Sequence, residues 1–113
     1  MLLEANRDLP KLRTSYEFDN EEEIYSFVRR NPYVMSALLD APLSISGRFE
    51  DSPLLALEVF TDPDEGYEQL FLLIRTTLAA DDAQQRLDAL YDDWWLDIVP
   101  SMKHKMAIDI ELA

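Results

Sequence analysis

The sequence contains no cysteine, only two glycines and a single histidine. Without cysteine, disulfide staples, thiolate nucleophiles and cysteine-ligated metals are excluded. Gly47 and Gly66 stand alone, so there is neither a Gly-rich phosphate loop nor a flexible linker. His104 lies between Lys103 and Lys105. It cannot build a histidine metal site by itself, and no Ser or Asp near it in sequence suggests a triad. Basic residues are scarce as well: 10 Lys and Arg against 23 Asp and Glu give a formal net charge of -13. Binding a phosphate backbone needs clustered Lys and Arg, so no nucleic-acid partner is expected. No apolar run approaches the roughly 20 residues that span a bilayer. Met1 to Arg13 has no basic region followed by an apolar stretch, so no secretory signal is expected. A cytoplasmic protein without a membrane partner or a cofactor is the expectation.

What is present is enough apolar side chain for one core. Of 113 residues, 48% are hydrophobic, which suits one domain and not two. Residues 1–18 read as an N-terminal segment and 19–113 as a single domain. The negative charge is uneven: between Glu50 and Asp97 there are 13 acidic residues against Arg75 and Arg86 alone.

A first helix starts at Asp19 or Asn20, where Asp19 can cap and Glu22 completes a capping box. Glu21, Glu22 and Glu23 suit its first turn, Arg29 and Arg30 its last, and Ile24, Phe27 and Val28 form its apolar stripe. Asn31-Pro32 opens a second helix running to about Phe49, with Val34, Leu38, Ala41, Ile45 and Phe49 on one side. Pro42 should kink or break it, and Gly47 weakens its last turn. Leu54 to Thr61 and Gln69 to Thr77 read as an antiparallel hairpin around Asp62-Pro63-Asp64-Glu65-Gly66-Tyr67. A third helix follows from about Ala80 to Trp94, its stripe being Ala83, Leu87, Leu90 and Trp94. Lys105 to Leu112 alternates as a last strand. The expected fold class is α+β in the order ααββαβ. The sheet is three-stranded, mainly antiparallel and ordered 2-1-3, with helices on one face. An edge strand around Lys11 to Phe18 is a further expectation.

If Leu55, Leu57 and Val59 face the helices, the opposite face carries Leu54, Phe60, Phe71 and Leu73 around a Glu58–Arg75 pair. Such a patch is seldom left in water. Two covers are open: the N-terminal segment, or a second copy in a homodimer packed sheet to sheet.

The most distinctive segment is Tyr91-Asp92-Asp93-Trp94-Trp95-Leu96-Asp97. At the expected helix C-terminus, Asp92 and Asp93 are disfavoured by the macrodipole at about 0.3–1 kcal/mol each, so a cation, an Arg or Lys, or solvent should compensate. In one reading both tryptophans plug the core. In the other, an exposed Trp face with Asp92, Asp93, Asp97 and the loop carboxylate Asp62 docks a basic partner. Asp62, Asp64, Glu65 and Glu68 lack EF-hand spacing and suit a solvated turn opened by Asp62-Pro63.

Asn31-Pro32 with the apolar helix through Leu38-Leu39, the run Leu57-Glu58-Val59-Phe60-Thr61-Asp62-Pro63, and Asp92-Asp93-Trp94-Trp95-Leu96 resemble a small uncharacterised family found mainly in cyanobacteria. The resemblance covers roughly residues 20 to 112 and is most specific in Asp-Trp-Trp-Leu. It implies an α+β fold and supports the domain boundary; it transfers no catalytic residue. Pro42 departs from the pattern and puts the second helix's continuity in question.

Three functions follow as expectations. The first is a non-enzymatic protein-interaction or assembly module with an acidic docking surface. The second is a small carboxylate- or metal-dependent hydrolase, which needs Asp62, Asp92 and Asp93 brought together. The third is an acidic antitoxin or inhibitor that mimics nucleic acid. No residue set specifies catalysis.

Overall fold

The structure, a computed structural model, describes residues 10–113. Residues 10–15 are helical. Strand β1 is Glu17–Phe18, helix α1 Glu21–Arg30, a 3-10 turn Pro32–Val34 and helix α2 Met35–Ser46. Strands β2, Leu54–Thr61, and β3, Glu68–Thr76, precede helix α3, Ala80–Leu90. A π-helical turn, Tyr91–Trp95, carries the chain on through Leu96–Ile98 and a 3-10 turn, Val99–Met102, to strand β4, Met106–Leu112. The fold is α+β.

The sheet has four strands in the order β1-β2-β3-β4, not three in the order 2-1-3. The hairpin β2–β3 is antiparallel as expected, but β1–β2 and β3–β4 are both parallel, so the sheet is mixed and not mainly antiparallel. The reason is the short strand β1, which takes the free edge of β2. The crossover through α3 then returns β4 to the open edge of β3, as a βαβ unit does. The expected edge strand around Lys11 to Phe18 shrinks to Glu17–Phe18. Leu12 and Tyr16, four residues apart, are both buried, and the Tyr16 amide donates to Leu12 O at 2.8 Å: a helical turn satisfies them where a strand would put Leu12 and Tyr16 four rungs apart. Of the N-terminal segment expected as one cover for the outward face, residues 1–9 lie outside the described residues.

Register stacks the core in three rows: Leu55, Ile74 and Ile110; Leu57, Leu72 and Ile108; Val59, Leu70 and Met106. Ile24, Phe27 and Val28 of α1 and Val34, Leu38, Ala41 and Ile45 pack on this face, all buried. The α1 cap falls one residue later than the Asp19–Glu22 box: Asn20 Oδ1 accepts from the Glu23 amide at 3.2 Å.

Helix α2 runs unbroken through Pro42. Proline has no N–H for the carbonyl four residues back, which is Leu38 O. That carbonyl is instead met by the Tyr16 hydroxyl at 2.6 Å. The 3-10 turn and α2 divide what the sequence reads as one helix from Pro32, and α2 ends at Gly47.

The helical run that α3 begins also passes its expected end at Trp94. In the π turn the Leu96 amide donates to Tyr91 O, five residues back, which inserts one residue into the helical register. The buried stripe Ala83, Leu87, Leu90 therefore continues at Trp95, 2% exposed, and not at Trp94. Trp94 packs half-buried beside it, the ring centroids 5.6 Å apart.

Between α2 and β2, Asp51 holds the far end of β3. Its Oδ2 accepts from the Thr76 hydroxyl at 2.7 Å, the Thr77 amide at 2.8 Å and the Thr77 hydroxyl at 3.1 Å. Burial acts to raise the pKa of this carboxyl, but these hydrogen bonds outweigh it and hold the group below its ordinary value. A depressed folded pKa gives stability that is present above the unfolded value of about 3.9 and lost as pH falls through the folded one. In Asp51→Asn, the loss of Tm on acidification below about pH 4 should be shallower than in the parent. Parallel acid limbs in the two proteins would show that Asp51 is not a source of this pH dependence.

Candidate functional site

The sheet face turned away from the helices exposes apolar side chains of β2 and β3. Leu54 and Phe60 are 59% and 50% exposed, and Phe71 and Leu73 are half-buried. Phe60 and Phe71 meet edge to face, centroids 6.2 Å apart at 80°, the preferred aromatic geometry. Across the rows, Leu54 neighbours Arg75 and Glu111; Ala56 neighbours Glu17, Leu73 and Asp109; Glu58 neighbours Phe71 and Ala107. The four residues expected on one face are thus brought together there.

The expected Glu58–Arg75 pair is not made, because register sets Glu58 opposite Phe71 and Arg75 opposite Leu54. Arg75 instead donates to Glu17 Oε2 and Glu111 Oε1, each at 2.9 Å. Since β2 lies between β1 and β3, the Arg75–Glu17 contact crosses over β2 beside Ala56, which is only 4% exposed. Among the described residues, four carboxylates, Glu17, Glu58, Asp109 and Glu111, share this face with the Arg75 guanidinium, and Lys105 stands at its Phe60 end over the Tyr67 ring, which leaves the face net negative.

The β4 edge beside this face is partly covered. Bonds from Leu70 N to Lys105 O and from Ala113 N to Thr76 O turn the odd-numbered residues toward β3, so Ile108 and Ile110 present their backbone groups to the free edge. The Tyr91 hydroxyl donates to Ile108 O at 2.7 Å, and Asp109 Oδ1 accepts from the Ile110 amide at 2.8 Å. Unpaired edges template association. Tyr91→Phe combined with Asp109→Ala should cost about 0.5–1.5 kcal/mol per lost bond and promote self-association in sedimentation velocity. A double variant that stays as monodisperse as its parent would contradict this protective role.

The acidic–aromatic segment is built largely into the fold. Trp95 is buried, Trp94 half-buried, and Asp92, Asp93 and Asp97 are exposed. Because the helical run continues to Met102, Asp92 and Asp93 sit inside it and not at its C-terminus, where the macrodipole opposes them most. Asp93 is compensated by Arg48, whose Nε and Nη2 both lie 3.3 Å from its Oδ2. Arg48 Nη1 also donates to Ser44 O at 2.9 Å, so this pair ties α2 to the π turn.

Asp62 opens the hairpin turn: its Oδ1 accepts from the amides of Asp64 at 2.9 Å and Glu65 at 3.4 Å. Gly66 follows at φ 68°, a left-handed position where a Cβ is disfavoured. Among the described residues no group of three or more His, Asp or Glu side chains is arranged to hold a metal ion. His104 is exposed at φ 61° in the turn before β4, its carbonyl accepting from the Tyr67 hydroxyl. Two charged clefts, of about 410 Å³ and 300 Å³, carry ion pairs: Arg13 with Glu21 at 3.1 Å, and Arg30 with Glu68. The hydrogen bond from Arg30 lowers the Glu68 carboxyl against the opposing effect of burial, with Lys105 assisting.

Sequence reasoning missed Glu17 and Arg48, which act only through tertiary contacts. Asp109 and Glu111 were legible as the polar face of β4 but not as the rim of the apolar patch. Among the described residues no helix is long and apolar enough to cross a membrane. Comparison with family models, curated proteins and solved structures gives no match, so the resemblance to the cyanobacterial family rests on its motif residues alone.

Proposed function

We propose that this chain is a non-enzymatic protein-interaction module that docks a basic partner on an acidic surface. The observation that carries this reading is the outward sheet face, where Leu54, Phe60, Phe71 and Leu73 lie among four carboxylates and one arginine. An apolar centre with a polar, charged rim is the anatomy of a protein interface. The rim's sign selects the partner, because opposite charge steers encounter while like charge repels. The pairing of Asp93 with Arg48 and of Asp62 with its own turn favours structural work for these two carboxylates over hydrolytic work.

A displayed library of random peptides, selected on the chain at low salt, tests this. Enriched sequences should be net positive, lose affinity as salt rises through the Debye screening range, and fail to bind Phe60→Ser. A selection without enrichment, or enriched sequences indifferent to salt and to Phe60→Ser, would sink the proposal.

A further inference from the structure

We infer that the segment docked on the outward sheet face is a basic amphipathic α-helix of about three to four turns, supplied by a different protein. This rests on the interaction reading above and narrows it. The described part of the N-terminal segment packs on the helix side, where Leu12 and Tyr16 are buried, and three kinds of incoming occupant compete for such a surface: an added strand, a second copy of this chain, and a helix laid across the sheet.

Strand addition needs an open edge. The β4 edge has Ile108 O occupied by Tyr91 and the Ile110 amide by Asp109, and β1 is only two residues long. The first is interrupted at its middle and the second too short for an extended ladder, so both are poor templates for an incoming strand.

A second copy would set a net-negative face against an identical one, between chains of formal charge -13 each. Arg75 is already shared between Glu17 and Glu111, and Lys105, at the head of β4, lies over the Tyr67 ring, so neither is placed to answer a partner's carboxylates across the centre of the face. Like charge would then oppose like charge across much of the contact.

The helix meets both the shape and the charge. From Leu54 to Phe60 the apolar strip runs about 20 Å along β2 at roughly 3.3 Å per residue. At 1.5 Å per residue that length takes about 13 helical residues, or about four anchors at i, i+3 or i+4, i+7 and i+11. Carboxylates stand on both long sides, Glu17 toward β1 and Asp109 and Glu111 toward β4. Because these carboxylates outnumber the Arg75 that Glu17 and Glu111 share, Lys or Arg on the two flanks of the apolar stripe would meet net negative charge, with Glu58 beside the centre.

Three synthetic peptides of about fourteen residues, titrated into the full chain, make the test. One carries leucines at the anchor spacing with lysines on both flanks. The second has the same composition with a central proline, and the third replaces lysine by glutamate. The leucine–lysine peptide is expected to bind, to gain helical circular dichroism on binding, and to exceed the proline and glutamate peptides by at least about tenfold in affinity. Phe60→Ser or the more exposed Leu54→Ser should weaken it by about tenfold or more, while Asp92→Asn with Asp97→Asn changes it by less than about twofold. Equal binding of the proline peptide would overturn the helix while leaving the interaction reading standing. Loss of binding in the Asp92/Asp97 variant instead of Phe60→Ser would overturn the location. A dimer in sedimentation that Phe60→Ser dissociates would overturn the separate partner, and failure of all three peptides would remove the helix and count against the interaction reading too.

Discussion

Trp95→Ala should cost about 3–5 kcal/mol, the range for emptying a large buried aromatic site, and lower Tm by on the order of 15 °C in a domain this size. Trp94→Ala should cost less than half as much. The two residues are adjacent, and by helical spacing from Leu87 and Leu90 it is Trp94 that belongs in the core. The π turn reverses them: one inserted residue puts Trp95 at 2% exposure and leaves Trp94 half-buried against it. Near-UV circular dichroism on heating compares the variants directly. Equal losses, or the larger loss at Trp94, would mean that the helical register is not shifted between Tyr91 and Trp95.

Tyr16→Phe should cost about 1–3 kcal/mol, although it removes a single oxygen, because it strands a buried carbonyl. Pro42 has no N–H to give Leu38 O, and the Tyr16 hydroxyl donates there at 2.6 Å. Burial pushes the phenol far above its ordinary pKa, which favours the protonated hydroxyl that donates this bond. Pro42→Ala restores an N–H four residues beyond Leu38. In that background Tyr16→Phe should lose about 1 kcal/mol less than in the parent, a coupling read from a double-mutant cycle in denaturant unfolding. Strict additivity would show that the two residues do not serve the same carbonyl.

These cases mark where the sequence was legible. The hairpin, α1 and the inward faces of β2, β3 and β4 were readable because each has an unbroken period of two or 3.6 residues. Pro42 was visible as an obstacle, but the cure lay 26 positions earlier at Tyr16, and no local pattern joins them. The sheet order was misread because β1 has two residues and no periodicity, yet it fills the β2 edge and leaves β3 for β4. The π turn escaped for a related reason: Tyr91-Asp92-Asp93-Trp94-Trp95 fits an α-helix with Trp94 inward until Tyr91 must also reach Ile108 O.

For the candidate surface, the four apolar residues were legible from alternation alone, but their rim was not. Glu17 reaches the face through β1 pairing, and Arg75 is drawn away from Glu58 by register. The acidic–aromatic segment drew attention because its composition is unusual. Its contacts assign much of that composition to packing: Trp95 fills the core, and Asp93 neutralises Arg48.

The central claim, that the outward sheet face receives a basic helical partner, is tested most directly by amide chemical-shift mapping of the labelled chain titrated with the leucine–lysine peptide. Shifts are expected to concentrate at Leu54, Phe60, Phe71 and Leu73 and at the flanking Glu58 and Asp109, and to fade as salt is raised. Shifts centred on Asp92, Trp94 and Asp97, or no shifts at saturating peptide, would contradict it.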